Sequence, residues 1–225
     1  MGETSVEEYV EGEEFTYDTL CVGGVPVYEN VAQYLPKPLE ARSEEWISPV
    51  IITVRDLSQP KIQKGIALGR QVLKALNMGD GFTHMEWFRT PEGEAVVGEI
   101  AARAPGAKLV DQMNWANDFD VFRGWAQAVT GATFEEQPSR AWHAAVVFKR
   151  AAGRGAITRI EGIDAVRHAI GAHIVEDALL PLGHPRRDWR STLLSDGWIA
   201  LRHPELELCR AMMDTVVRDV RMFAG

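Results

Sequence analysis

Length, composition and charge exclude several classes of protein. The chain has 225 residues, 46% of them hydrophobic, and a formal net charge of −8 at pH 7. This length is enough for one domain with a sizeable core, or for one domain with a small satellite. No run of about 18 apolar residues is present, and the first residues are acidic, so neither a membrane span nor a secretory signal is expected. The negative charge argues against a general nucleic-acid-binding protein.

The two cysteines indicate where the protein works. Cys21 and Cys209 are far apart in the chain and lack the short spacings of metal-binding cysteines. A pair of reduced cysteines is typical of proteins from a reducing compartment. The sequence therefore predicts a cytoplasmic protein with no disulfide and no cysteine-bound metal.

The first part of the chain predicts β-strands. Residues 5–10 and 13–22 combine aromatic and β-branched residues with partial alternation. A Gly-Gly turn signal follows, so residues 13–31 are predicted to form a hairpin. Residues 35–50 are rich in proline and charge, which predicts an exposed loop, and a short strand is predicted at 51–55.

The middle of the chain predicts a helix, a hairpin and a second helix. Residues 60–77 place their apolar side chains at spacings of three and four, which favours one face of a helix. Residues 82–90 and 95–103 are extended runs joined by a short turn sequence, which predicts a β-hairpin. Residues 118–130 again have helical spacing.

The remaining elements mix short strands with helices. Strands are predicted at 142–149, 156–160, 172–177 and 197–202, and helices at 163–169 and 204–222. Because strict β-α-β alternation is lacking, the predicted class is α+β, with a largely antiparallel sheet flanked by helices and a small C-terminal β-rich subdomain. The predicted domains are 1–135 and 136–225.

The predicted hairpin carries the most informative side chains. With residues 91–94 as its loop, Thr90 pairs with Ala95, and Glu86 lies directly opposite Glu99. Opposed residues on one face of an antiparallel pair have Cβ atoms ~4.5–5.5 Å apart. Two carboxylates at that separation repel each other unless a cation or a proton lies between them.

These two acids predict a site for a cation and a phosphate. Mg²⁺ takes one or two protein carboxylates and fills its shell with water and nucleotide phosphates. Arg103 shares the face of Glu99 by strand parity, and its planar fork suits a phosphate or a carboxylate. The pattern predicts binding of Mg²⁺-ATP and an anionic intermediate. The alternative interpretation is a solvent-exposed hairpin face, because a change of register by one residue separates the acids.

Two neighbouring features are assigned less specific roles. His84 is expected on the opposite face of its strand from Glu86, as a packed or supporting histidine, with substrate binding as the alternative. The run 185–190 contains three arginines and a tryptophan. It is predicted to be a solvated loop, with anion binding as the alternative, because it lacks a glycine nest or a helix N-terminus.

The hairpin residues also resemble a known motif. Residues 83–86, followed by 98–106, resemble the metal-binding hairpin of ATP-grasp enzymes, which have a glutamate on one strand and glutamate-x-asparagine-x-arginine on the next. The resemblance implies that Glu86 and Glu99 hold Mg²⁺. It also implies that Arg103 is catalytic and stabilises an acylphosphate.

The start of the chain resembles the strand that holds adenine and ribose in the same superfamily. The resemblance implies that Glu7 accepts a hydrogen bond from the adenine amino group. It implies that the backbone of Glu8, Tyr9 and Val10 faces the adenine ring, and that Glu14 binds the ribose hydroxyls. Residues 1–135 would then be the nucleotide- and Mg²⁺-binding subdomain, and the rest would be a closing subdomain.

Two departures from the family pattern refine this resemblance. Ala101 replaces the usual asparagine, and this version resembles carboxylate–amine ligases that join amino acids. The lysine-bearing, glycine-rich subdomain that precedes the adenine-binding strand in ATP-grasp enzymes has no counterpart in this sequence. We therefore expect a missing N-terminal half, and either association with it or a homodimer.

The leading hypothesis is an ATP- and Mg²⁺-dependent ligase. It would join a small-molecule carboxylate to an amine through an acylphosphate. The first alternative is a catalytically incomplete ATP-grasp fragment or nucleotide-binding module, and the second is a biotin carboxylase-like enzyme. Neither nucleic acid nor a membrane is an expected partner.

Overall fold

The computed structural model describes residues 6–131 and 133–225. The strands are Glu13–Val22 (β1), Val25–Leu35 (β2), Val50–Thr53 (β3), Gly81–Arg89 (β4), Ala95–Ala101 (β5), His143–Phe148 (β6), Ala151–Gly153 (β7), Ile157–Glu161 (β8), Ile174–Asp177 (β9), Trp198–His203 (β10) and Arg221–Ala224 (β11). The α-helices are Pro38–Ala41 (α1), Pro60–Ala75 (α2), Leu109–Asn117 (α3), Val121–Thr130 (α4), Ile163–Ile170 (α5) and Leu206–Asp219 (α6). A 3₁₀ turn spans Gly171–His173.

The strands form one large sheet and one small sheet. The large sheet has eight strands in the order β5-β4-β1-β2-β3-β6-β10-β9, and every neighbouring pair is antiparallel. In the small sheet, β11 lies between β7 and β8 and runs parallel to β7. The predicted α+β class with a largely antiparallel sheet is therefore confirmed. The predicted division at residue 135 stays a prediction, and the large sheet crosses it through the pairing of β3 with β6.

The predicted strand at 5–10 is wrong for the residues that the structure describes. Residues 6–11 have no regular secondary structure, and the first strand begins at Glu13. No strand of the described chain pairs with this segment, so the backbone has no ladder to join. Val6 is 91% exposed and Tyr9 is 66% exposed, so the alternation in the sequence does not correspond to a buried face.

The helix predicted at 118–130 is α4, which begins later than predicted, at Val121. A separate helix that was not predicted, α3, precedes it, and Asp118 ends α3 in a left-handed conformation with φ of 49°. Asp120, rather than Asp118, caps α4, because its carboxylate accepts hydrogen bonds from the backbone N–H groups of Phe122 and Arg123. Asp118 instead lies 2.5 Å from Arg202, which ties the break to strand β10.

The C-terminal helix also ends earlier than predicted. Helix α6 stops at Asp219, and Val220 is already extended, with φ of −84° and ψ of 118°. The chain then forms β11, which supplies the central strand of the small sheet. Strand β10 is therefore followed by a further strand. The prediction that residues 204–222 form a single helix is wrong in its last turn.

One face of the large sheet is covered by α2 at one end and by α5 and α6 at the other. The α2 side chains of Ile62, Ile66 and Leu73 pack on apolar residues of β1 and β4. Cys209 and Val216 of α6 belong to the adjacent cluster. The cluster under α2 is built from odd-numbered residues of β1 and β4, and the cluster under α6 is built from alternate residues of β3, β6 and β10, as strand parity requires.

The other face is covered only in part. Helices α3 and α4 pack through Val110, Met113 and Val121 on Leu20 and other apolar side chains near one end of β1, β2 and β4. Further along the same strands, the face carries polar residues, most of which are buried, and the side chain of Glu86 is partly exposed there. In the described chain, no helix has both the length and the apolar composition that a membrane span needs.

Helix α2 can approach the sheet closely because it presents glycine there. A Cβ atom added to Gly65 would lie 2.2 Å from the ring of Trp87, and one added to Gly69 would lie 2.2 Å from the ring of Tyr17. Both rings are fully buried. The short contact fixes β1 and β4 against the helix on the face opposite the polar residues.

We expect Gly65→Ala to destabilise the protein. Alanine favours a helix by ~1 kcal/mol over glycine, but here its methyl group would displace a buried tryptophan, and overpacking typically costs about 1–3 kcal/mol. Urea unfolding should therefore show a net loss of stability. Gln71→Ala, at an exposed position of α2, should stay within about 0.5 kcal/mol of wild type. A Gly65→Ala variant as stable as Gln71→Ala would contradict the packing argument.

Candidate functional site

The hairpin of β4 and β5 places two carboxylates opposite each other. Glu86 pairs with Glu99, as predicted, although the predicted register at the turn is wrong. Next to the turn Arg89, rather than Thr90, pairs with Ala95, and the register shifts by one residue between Glu86 and Trp87. This bulge restores the predicted pairing further along the hairpin.

Glycine fits the position of this bulge. Gly98 is the residue left without a partner between Val97 and Glu99. A Cβ atom there would lie 3.0 Å from the carbonyl oxygen of Glu86 and 3.1 Å from the ring of Phe88, which is tighter than ordinary packing. Gly98 therefore lets β5 approach β4 closely at the point where the two acids face each other.

His84 lies on the same face as Glu86 and contacts it. The prediction that it points to the opposite face is wrong, because residues two apart on a strand share a face. Its Nδ1 atom is 2.5 Å from Oδ1 of Asp18, and its Nε2 atom is 3.5 Å from Oε1 of Glu86. The three side chains form a line that runs from the buried centre of the sheet to the open hairpin.

Asp18 is the buried end of this line. Its side chain is fully buried, and its second oxygen accepts hydrogen bonds from Thr16 at 2.8 Å and from Asn30 at 3.2 Å. The pairing of β1 with β2 and β4 brings these donors together, since Asp18 pairs with both Asn30 and His84. A buried charge is costly unless it is paired and hydrogen-bonded, and Asp18 meets both conditions.

These contacts keep His84 and Glu86 charged. Burial lowers the pKa of His84, but the hydrogen bonds and negative charges of Asp18 and Glu86 more than offset this effect and raise it to about 9. Contact with His84 holds the pKa of Glu86 below its usual value, and hydrogen bonding from Tyr34 and the charge of Arg103 act in the same direction. The Tyr34 hydroxyl donates to Glu86 at 2.9 Å.

Glu14 lies near the same acids but behaves differently. It is only 7% exposed. Burial raises the pKa of Glu14 to about 7, and the negative charges of Glu86 and Glu99 contribute to the rise, while Lys37 opposes it. At neutral pH this carboxyl group therefore titrates, and a nearby cation would favour its ionised form.

Arg103 and the two acids line a pocket of about 380 Å³ beside the sheet. Arg42 and Arg150 also line it, so anionic groups would meet three guanidinium groups there. The rest of the wall is largely apolar and comes from distant parts of the chain, including Pro49, Ile51, Phe148, Trp189 and Leu193.

Trp189 shows that the run 185–190 is not a simply solvated loop. Its ring is 7% exposed, and the guanidinium carbons of Arg150 and Arg190 lie 4.7 Å and 4.5 Å from its centre. The buried carboxylate of Asp196 anchors the segment by accepting hydrogen bonds from the backbone N–H groups of Arg187 and Ala151. The prediction of a solvated loop is therefore wrong for Trp189, which forms part of the pocket wall.

The predicted adenine-binding residues lie on the exposed segment before β1. Tyr9 accepts a hydrogen bond from Lys37 at 3.0 Å, and the Lys37 ammonium group lies 5.2 Å from the Tyr9 ring centre. Glu7 and Glu8 are exposed and Val10 is half-buried. The segment leads directly into β1, where Glu14 is close enough to Glu86 and Glu99 for their charges to raise its pKa.

The donor set suits Mg²⁺ that is shared with phosphate oxygens. In residues 6–131 and 133–225, no group of three or more His, Cys, Asp or Glu side chains is arranged to hold a metal ion. A cation held by Glu86 and Glu99 would therefore need further oxygens from water or a ligand. This is how Mg²⁺ usually binds at nucleotide sites, where one or two carboxylates combine with substrate phosphates.

Known proteins provide an independent comparison. An L-arginine-specific L-amino acid ligase of Bacillus subtilis is 31% identical over 103 residues, which cover 46% of this chain and 24% of that protein. The crystal structure of an L-amino acid ligase from Bacillus licheniformis superposes with a TM-score of 0.72 at 17% identity, over 96% of this chain and 55% of that one. The chain has the ATP-grasp fold. No family model matches it.

Other solved structures share the ATP-grasp fold. Phosphoribosylglycinamide synthetase from Anaerococcus prevotii has a TM-score of 0.73 at 14% identity, over 97% of this chain and 55% of that one. The biotin carboxylase domain of a Hydrogenobacter thermophilus 2-oxoglutarate carboxylase has a TM-score of 0.65 at 13% identity, over 96% and 48%. The chain thus spans about half the length of the chains in these solved structures, and the region that matches the B. subtilis ligase covers about a quarter of that protein.

We expect Glu14→Gln to change the pH dependence of stability. The pKa of Glu14 is about 7 in the folded chain and ~4.3 when unfolded. The folded state therefore binds this proton more tightly, and the contribution of Glu14 to the free energy of unfolding falls as pH rises through this window. In EDTA, Glu14→Gln should gain stability relative to wild type by ~3–4 kcal/mol at pH 8, and by little at pH 4.

Glu13→Gln provides the matched control with the opposite sign. Burial works against the charge of Glu13, but hydrogen bonding and charge from Lys61, with help from Gln33 and Arg89, hold its pKa below the usual value. Its stabilising contribution is present above that value and lost in acid. Glu13→Gln should therefore lose stability relative to wild type at pH 8. Parallel pH profiles for the two variants, measured by urea unfolding, would contradict the assignment.

Proposed function

We propose that this chain carries the nucleotide- and Mg²⁺-binding surface of an ATP-dependent ligase that joins a carboxylate to an amine. The observation that carries the proposal is the pairing of Glu86 with Glu99 at a pocket that Arg103 also lines. The ATP-grasp fold and the two L-amino acid ligases among the compared proteins support it. Because the chain spans only part of those proteins, we propose that the complete activity needs a further N-terminal part.

Residues before and within β1 would bind the nucleotide. Glu7 would accept from the adenine amino group, and the backbone of Glu8, Tyr9 and Val10 would face the ring. Glu14 would bind the ribose hydroxyls. The exposure of the first segment and the burial of Glu14 fit a nucleotide whose base lies at the edge of the site and whose ribose lies deeper.

Glu86 and Glu99 would hold Mg²⁺ together with phosphate oxygens. When bound, the cation would neutralise charge on the transferring phosphoryl group. The contribution of the protein is to present one carboxylate that is already ionised and oriented, since His84 and Tyr34 contact Glu86. Preformed electrostatics of this kind avoid reorganisation during the reaction.

The pocket would hold the acid and the amine. The substrate carboxylate oxygen attacks the γ-phosphorus of ATP, and ADP leaves. The amine nitrogen then attacks the acyl carbon, loses a proton, and phosphate leaves. Arg103 would stabilise the negative charge of the acylphosphate and of its tetrahedral adduct. The apolar wall that includes Trp189 and Phe148 would limit hydrolysis of the acylphosphate by excluding water.

The proposal also includes the cellular location, the substrates and the partner of the chain. Both cysteines are free and buried, which fits a cytoplasmic protein. We propose small-molecule acids and amines as substrates and residues 136–225 as a closing subdomain. The partner would be an N-terminal half or a second copy of the chain.

We expect Mg²⁺-ATP to raise the melting temperature of this chain. A ligand that binds only the folded state adds about 2.7 kcal/mol at 100 times its Kd. The rise should disappear in EDTA and in Glu86→Gln or Glu99→Gln. Glu94→Gln is the matched control, because Glu94 is an exposed acid on the same hairpin that pairs with Lys64. A similar loss in Glu94→Gln, or no magnesium-dependent rise in wild type, would contradict the proposed site.

We also expect ligase activity when the chain is combined with the N-terminal part of an L-amino acid ligase. Phosphate release from ATP should require an amino acid, and hydroxylamine should trap the activated acid as a hydroxamate. Arg103→Lys should reduce the rate by 10²–10³-fold, as loss of one stabilising donor typically does. Phosphate release that depends on bicarbonate rather than on amino acids would favour the biotin carboxylase-like alternative. Tight Mg²⁺-ATP binding without any phosphate release would favour a nucleotide-binding module.

A further inference from the structure

We propose that His84 and Asp18 are positioning residues that hold the Glu86 carboxylate in the orientation in which it receives a divalent cation. This inference rests on the proposed function, because it takes Glu86 as a metal-binding residue. It adds a role for two buried residues that would touch neither the cation nor the substrate.

The contacts of His84 leave its ring little freedom. Each ring nitrogen faces a carboxylate oxygen, Nδ1 that of Asp18 at 2.5 Å and Nε2 that of Glu86 at 3.5 Å. The ring therefore forms a bridge between a fixed acid and an acid at the pocket, and its Nε2 atom lies beside the Glu86 oxygen that also accepts from Tyr34.

Asp18 is suited to be the fixed end of this bridge. Its side chain is fully buried and is held by Thr16 and Asn30 in addition to His84. It lies in the middle of β1, which pairs on both sides with other strands of the large sheet. An anchor on a central strand is held by neighbouring strands on both sides, so it fixes the ring orientation.

Glu86 and Glu99 differ in how far they are fixed. Glu86 contacts His84 and accepts a hydrogen bond from Tyr34. Glu99 is exposed. Its carboxylate accepts no hydrogen bond from, and forms no ion pair with, a side chain of the residues that the structure describes. A pair with one oriented and one free carboxylate would bind a cation first at the oriented member. Groups that orient a metal-binding side chain typically change metal affinity by 10–100-fold.

The test uses a double variant that removes both members of the buried His84–Asp18 contact. His84→Gln alone would leave the buried Asp18 carboxylate without its imidazole partner, which is destabilising. Asp18→Asn/His84→Gln replaces both charged groups with amides that can hydrogen-bond to each other. If this variant melts far below wild type, Asp18→Asn alone serves the same comparison, because it keeps the ring and removes its anchor.

The measurement is the affinity for Mn²⁺ with ATP, followed by electron paramagnetic resonance of free Mn²⁺, together with the melting temperature of each variant. We expect the double variant to melt close to wild type and to bind Mn²⁺-ATP about 10–100-fold more weakly. Glu94→Gln should match wild type in both readouts. A merely structural role for the pair predicts that a variant with wild-type stability also has wild-type affinity.

The outcomes separate this inference from the proposed function. If Glu86→Gln loses Mn²⁺-ATP binding while the double variant retains affinity within about threefold of wild type, the positioning role is overturned and the metal site stands. If wild type and Glu86→Gln bind Mn²⁺-ATP equally, the proposed metal site is wrong and the inference falls with it.

Discussion

The main constraint on the site is the repulsion between two carboxylates that face each other across one hairpin, which the surrounding residues must accommodate. Glu86 and Glu99 are directly paired, and like charges at such positions destabilise a sheet. The chain compensates on one side only, because the buried His84 and Asp18 lie behind Glu86 and leave Glu99 in solvent. A sheet selected for stability alone would not need two facing acids, so the arrangement indicates a site whose role requires charged side chains.

The helix on the opposite face of the sheet holds the strands that carry these residues in place. On the opposite face, Gly65 and Gly69 allow α2 to lie directly on Trp87 and Tyr17, which flank the polar residues along β4 and β1. The carboxylates and their supporting residues therefore sit on paired strands clamped by a helix, and strands hold side chains more precisely than loops do. Helices α3 and α4 pack over only one end of the other face. Glu86 and Glu99 remain accessible there, whereas Asp18 and His84 are buried.

The sequence was informative where local periodicity decides the outcome and failed where distant contacts decide it. The hairpin follows from its two extended runs and their turn, but the facing of its two acids depends on the bulge at Gly98, which offsets the one-residue error in the predicted turn register. The break at Asp118 was missed because its partner, Arg202, lies in a distant strand. Trp189 could not be placed in the pocket from its local sequence, because the buried Asp196 organises that segment through contacts along and across the chain.

The charges of the site divide into an acidic part and a basic part. Glu86 and Glu99 face each other on the hairpin, and Arg42, Arg103 and Arg150 line the same pocket beside them. A divalent cation would reduce the repulsion between the two acids, and phosphate oxygens would be attracted to the guanidinium groups. A cation bound to a polyphosphate would therefore match both parts at once, and by linkage each component would change the affinity for the other by the same factor.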